Sequence, residues 1–160
     1  MTYIPYLSTI ITFAFVVAVY TRYRQRGGTH LLLWAVGLFF YGLGTLSEVI
    51  LSLIFNGFVL KIWYLTGAML TAAWLGQGTV HLLIRKGNTA RVSTWVLGVV
   101  SVLALFLVLS APALSGSYEI TRPASEQYKD FLTRGGLTIL LTILLTVSYT
   151  HLTLPTSDLV

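Results

Sequence analysis

The chain has 160 residues, of which 56% are hydrophobic and 9% charged, with a mean hydropathy of +0.82 and a formal net charge of +5. So much apolar surface is more than a domain of this length buries in water, which excludes an ordinary water-soluble domain and makes lipid the expected solvent. The basic residues fall in short clusters between apolar runs, so no nucleic-acid face is expected; the lack of cysteine excludes disulfides, thiolate metal ligands and a cysteine nucleophile.

Taken in chain order, apolar runs long enough to cross a hydrocarbon core lie at 4–20, 31–55, 62–84 and 92–113, and a fifth begins near Gly136. Backbone in lipid satisfies its polar groups only within helices or a closed barrel, and these runs lack the alternation of barrel strands. The expected fold class is therefore all-α: a polytopic transmembrane helical bundle with four complete spans and a partial fifth over 136–146.

The charges set an orientation. The connection TRYRQRGGTH, residues 21–30, holds Arg22, Arg24 and Arg26, and RKGNTAR, residues 85–91, holds Arg85, Lys86 and Arg91, with no acid in either. Both are expected on the cytoplasmic side, which leaves the amino terminus outside. NGFVLK between the second and third runs has only Lys61, and the fourth connection sets Glu119, Glu126 and Asp130 against Arg122, Lys129 and Arg134. Because the first basic cluster follows the first apolar run rather than preceding it, that run reads as a retained anchor and not as a cleaved signal peptide. Tyr3, Tyr6, Tyr20, Tyr23, Trp63, Tyr64 and Trp95 fall near the expected interfaces, where amphipathic rings sit at headgroup level.

Among the intramembrane polar residues Glu48 stands out, because an ionisable group well inside a span needs a partner, a cavity or a proton. Tyr41, Thr45, Glu48 and Ser52 recur at steps of four, three and four residues and form one helical stripe, expected to face other helices. Glu48 reads either as part of a proton, cation or ligand site in the outer half of the bundle, or as a packing residue. Gln77 and His81 lie one turn apart in the third span, and opposite chain directions put His81 roughly 20 Å in depth from Glu48, so the two are not expected to touch. His81 reads as a satisfied polar residue near the cytoplasmic interface, and Lys61 and Tyr64 are the groups expected to approach Glu48. Ala68, Ala72 and Gly76 recur every four residues and offer a row for close helix association. No phosphate-binding glycine loop, zinc helix motif, nucleophile elbow or catalytic acid pair is present, so no metal, cofactor or enzymatic reaction is implied.

The third run, WYLTGAMLTAAWLGQGTVHLL at 63–83, resembles that of uncharacterised bacterial multi-pass membrane proteins, and the topology is similar to the seven-helix input modules of bacterial sensor kinases. The resemblance implies residence in a bacterial inner membrane. VSYTHLTLPT at 147–156 resembles the translation of a transposase sequencing adapter, which implies that residues 1–146 are the amino-terminal fragment of a longer membrane domain and that 147–160 are non-native. The partners expected are the lipid bilayer and the remainder of the chain itself. Two functions follow as expectations: a sensory or signalling input module, or part of a proton- or cation-coupled small-solute transporter or channel.

Overall fold

The computed structural model describes residues 3–83 and 88–110. They form helices α1 (Ile4–Arg26), α2 (Thr29–Leu53), α3 (Gly57–Trp63), α4 (Thr71–Leu83) and α5 (Thr89–Ser110), with a π-helical turn, Tyr64–Leu70, joining α3 to α4. Together Gly57–Leu83 make one continuous 27-residue element, so four helical elements are long and apolar enough to cross a membrane. The fifth run expected from Gly136, the tail at 147–160 and the fourth connection lie outside the described residues.

Helix ends differ from the sequence expectation in ways the local chemistry explains. α1 continues through the basic cluster to Arg26, because Arg and Gln are good helix formers and nothing before Gly27 stops the helix. The expected ten-residue connection thus shrinks to Gly27 and Gly28, whose φ values of 67° and 103° turn the chain sharply. A Cβ at Gly28 would also lie 2.8 Å from the His30 ring. Gly28→Ala is therefore expected to cost about 1–3 kcal/mol through backbone strain alone. A lower thermal midpoint in detergent micelles checks it, and an unchanged midpoint would contradict the turn.

α3 starts earlier than the hydropathy run because Asn56 caps it, its side chain accepting from the Phe58 N–H at 2.9 Å. Lys61 accordingly sits on a helix, not in a connection. One side of the π turn is sealed at Thr66, whose carbonyl accepts both the backbone N–H and, at 2.7 Å, the hydroxyl of Thr71 five residues on. The wider turn shifts the phase of the span and brings Gly67 against Gly44 of α2.

Packing between α2 and the third span runs along small residues. A Cβ built on Gly37 would lie 2.9 Å from the Leu75 backbone nitrogen, one on Gly44 2.9 Å from the Gly67 Cα, and one on Gly78 2.2 Å from the Trp34 ring. These are the close approaches that association in lipid favours, where apolar side chains gain little by leaving the tails. The row Ala68, Ala72 and Gly76 is not the one used: Ala68 and Ala72 are exposed and Gly76 half-buried, because the π turn rotates that face away from α2. On the other side of α2, Phe13 of α1 lies against Gly42 and packs edge-on to Phe39. A core of Tyr64, Leu65, Met69, Leu70, Ala104 and Val108 joins the π turn to α5. Tyr64 is buried there, not at an interface as its position in the sequence implies. The lipid-facing surface is made of exposed apolar residues such as Ile10, Phe15, Val99, Val102 and Phe106.

Candidate ligand cavity and its polar backing

The stripe centred on Glu48 does not lie in the packed interior. Tyr41 and Glu48 are exposed, and the half-buried Thr45 and Ser52 spend their hydroxyls on their own helix, donating to the Gly42 and Val49 carbonyls at 3.0 and 2.7 Å. The buried face of α2 is instead Leu33, Ala35, Gly37, Gly42, Gly44, Ser47, Val49 and Leu51. Steric closeness decides this: the glycine face admits a neighbouring backbone, and the Tyr and Glu side chains cannot. Lys61 does not take up the expected approach to Glu48; its ammonium donates to the Leu109 carbonyl at 3.0 Å, at the last turn of α5.

Gln77 and His81 occupy a different position from Glu48, facing α5. Gln77 is fully buried. Its Nε2 donates to the Ala90 carbonyl at 3.1 Å and to Thr94 Oγ1 at 2.8 Å, while Ser93 Oγ donates to Gln77 Oε1 at 3.0 Å. The Ala90 carbonyl can only accept, which fixes the amide with its nitrogen toward α5. His81 Nε2 lies 2.7 Å from Thr94 Oγ1, and Thr94 Oγ1 is also 2.9 Å from the Ala90 carbonyl. Two proton arrangements satisfy this geometry: the Thr94 hydroxyl donates to a bare Nε2, or it turns to Ala90 and accepts from a protonated one. An imidazolium, which only donates, is thus accommodated by rotation of one hydroxyl. Further along the same seam, Trp74 Nε1 donates to Ser101 Oγ at 3.2 Å.

Beside this network lies a cavity of about 570 Å3, where the start of α2, the end of α4 and the start of α5 come together. Gly28, Thr29, His30 and Leu33 line it from α2, His81 and Leu82 from α4, and Ala90, Arg91, Thr94 and Trp95 from α5. The His30 ring stands edge-on to Trp34, with centroids 5.5 Å apart. Of the residues singled out in the sequence, the structure brings Gln77 and His81 to this region and leaves Tyr41, Thr45, Glu48, Ser52 and Lys61 away from it. His30, Ser93 and Trp95 had no site signal of their own, and Arg91 reads in sequence only as a topology marker. The signal that could have found them is hairpin geometry: in two antiparallel helices joined by a short turn, residues equidistant from the turn meet, and Gln77 and His81 then face Ala90 and Thr94.

No group of three or more His, Cys, Asp or Glu side chains suited to a metal ion occurs among the described residues. Fold and composition together define the chain as an all-α, multi-pass transmembrane helical bundle. No protein-family model matches it, and no curated protein or solved structure shows significant similarity to it.

Proposed function

We propose that the chain is the membrane-embedded part of a sensory or signalling input module of a bacterial inner membrane, reading a small ligand in the cavity between α2, α4 and α5. The observation that carries this reading is the placement of the cavity directly against the Gln77–Thr94–His81 network. An occupant touching His81 and Thr94 would bias hydrogen bonds that hold two spans together, and a ligand shifts a conformational equilibrium only through such differential contacts. The reading moves the ligand site from the surroundings of Glu48 to the opposite end of α2.

The orientation belongs to the same proposal: amino terminus outside, with the cavity at the cytoplasmic face beside Arg22, Arg24 and Arg26. Since the chain has no cysteine, single-cysteine labelling needs no background removal. In intact spheroplasts a membrane-impermeant maleimide is expected to modify Phe58→Cys, and to modify Arg24→Cys only after lysis. The opposite pattern would invert the topology.

Glu48 favours a second reading, a proton- or cation-coupled small-solute transporter or channel, because it is the one carboxylate among the described residues and lies well within α2. The two readings separate in one set of proteoliposome measurements. The sensory reading expects no proton flux with or without Glu48→Gln, and a shifted distance between spin labels at Leu53→Cys of α2 and Val99→Cys of α5, both exposed, when Thr94→Trp fills the cavity. A proton flux abolished by Glu48→Gln would establish transport instead, and an unmoved distance would remove the coupling.

A further inference from the structure

The cavity at the ends of α2, α4 and α5 brings together a guanidinium and several hydrogen-bond donors, with no carboxylate among the described residues that line it. Arg91, His30 and His81 all line it, with the hydroxyls of Thr29 and Thr94 and the indole of Trp95. Among the described residues no acidic side chain lines it, and Arg91 makes no ion pair. The nearest carboxylate along α2 is Glu48, fifteen residues beyond the lining residue Leu33, roughly 22 Å along the helix axis at 1.5 Å per residue.

The spread of the donors over three elements narrows the class of anion. A carboxylate offers one planar edge, which a single arginine fork satisfies. Here donors come from three elements around one space: His30 and Thr29 from α2, His81 from α4, and Arg91 with Trp95 from α5. A phosphate group, with oxygens pointing in several directions, can engage all three at once. Leu33 and Leu82 leave an apolar wall for the uncharged part of such a ligand.

We infer that this cavity holds a phosphate-bearing anion, anchored by the Arg91 guanidinium together with the His30 and His81 imidazoles where α2, α4 and α5 converge. The inference rests on the reading that this cavity is the ligand site. Phosphate of this kind is carried by an acidic lipid headgroup or by a free phosphate ester, and the two sources are separable by experiment.

The test uses the full chain purified in a neutral detergent, titrated calorimetrically with inorganic phosphate and glycerol phosphate, and the same chain in phosphatidylcholine nanodiscs doped with phosphatidate, read by lipid retention in native mass spectrometry. Saturable binding of either probe is expected, weakened at least about tenfold in Arg91→Gln, as loss of one charge-assisted hydrogen bond implies, and retained in Arg91→Lys and Arg24→Gln. Binding of the free phosphates assigns a soluble ester; retention of phosphatidate alone assigns a lipid headgroup. Thermal midpoints of the variants show whether each is folded, and His30→Leu, for which weakened binding is likewise expected, takes the place of Arg91→Gln if that variant does not fold. Absence of saturable binding by both probes would overturn the inference, as would equal losses in Arg91→Gln and Arg24→Gln, which would indicate general surface charge. Binding without movement of the Leu53→Cys and Val99→Cys label distance leaves the anion site standing and removes the sensory reading. Movement in Thr94→Trp without anion binding does the reverse.

Discussion

Replacing Gly44 with alanine is expected to destabilise the bundle by about 1–3 kcal/mol, whereas the same change at Gly67, its direct neighbour across the interface, is expected to shift stability by less than about 0.5 kcal/mol. The two glycines touch, yet the contact is not symmetric. A Cβ at Gly44 points at the opposite backbone, 2.9 Å from the Gly67 Cα and 3.2 Å from its nitrogen. A Cβ at Gly67 passes to one side and meets only the Gly44 Cα, at an ordinary 3.7 Å. No flexible side chain stands between α2 and the π turn at Gly44 to give way, so the helices themselves must separate. Unfolding of the two variants in mixed micelles measures the difference. Equal losses at both positions would mean that the π turn does not set the phase described.

Gln77→Leu tests the polar seam. The substitution keeps most of the side-chain volume and removes every hydrogen bond of a fully buried amide, leaving Ser93 without its acceptor and Thr94 without one donor. The expected loss is about 1–2 kcal/mol, because interhelical hydrogen bonds in lipid are individually modest while unsatisfied buried partners add their own cost. Thr94→Val removes the shared hydroxyl, so the double variant is expected to lose less than the sum of the single ones, with a coupling of about 0.5–1.5 kcal/mol. Strict additivity in the thermal midpoints would show that the two side chains act independently.

Much of the architecture is legible in the sequence because lipid imposes two strong rules, a minimum apolar length and full use of backbone hydrogen bonds. The helical element Ile4–Arg26 contains the whole apolar run 4–20, and Thr29–Leu53, Gly57–Leu83 and Thr89–Ser110 cover all but the last one to three residues of the runs 31–55, 62–84 and 92–113. What escapes is phase. Periodicity assigns faces by assuming an unbroken 3.6-residue turn, and the π turn at Tyr64–Leu70 breaks that assumption halfway along the third span. Ala68 and Ala72 therefore look like packing residues and are exposed, while Gly67, which no fourfold row contains, meets the backbone of Gly44. The stripe from Tyr41 to Ser52 fails for another reason: polarity alone pointed it inward, but the glycines on the opposite side of α2 permit closer packing. Gln77 and His81 are visible as a polar pair, yet their meaning depends on Ser93 and Thr94, which only the hairpin brings to them.

The contact between Gly44 and Gly67 also divides the bundle mechanically. Backbone against backbone has no rotamers with which to absorb a displacement, so α2 and the third span behave as a single plate. The seam between the end of α4 and the start of α5 is built differently, from hydroxyls, an amide and an imidazole whose hydrogen bonds can be exchanged by rotation without opening a void, while an apolar core holds the rest of α5 to the π turn. Any motion this domain transmits is then a slide of the start of α5 along a fixed plate, with Gln77 as the bearing surface.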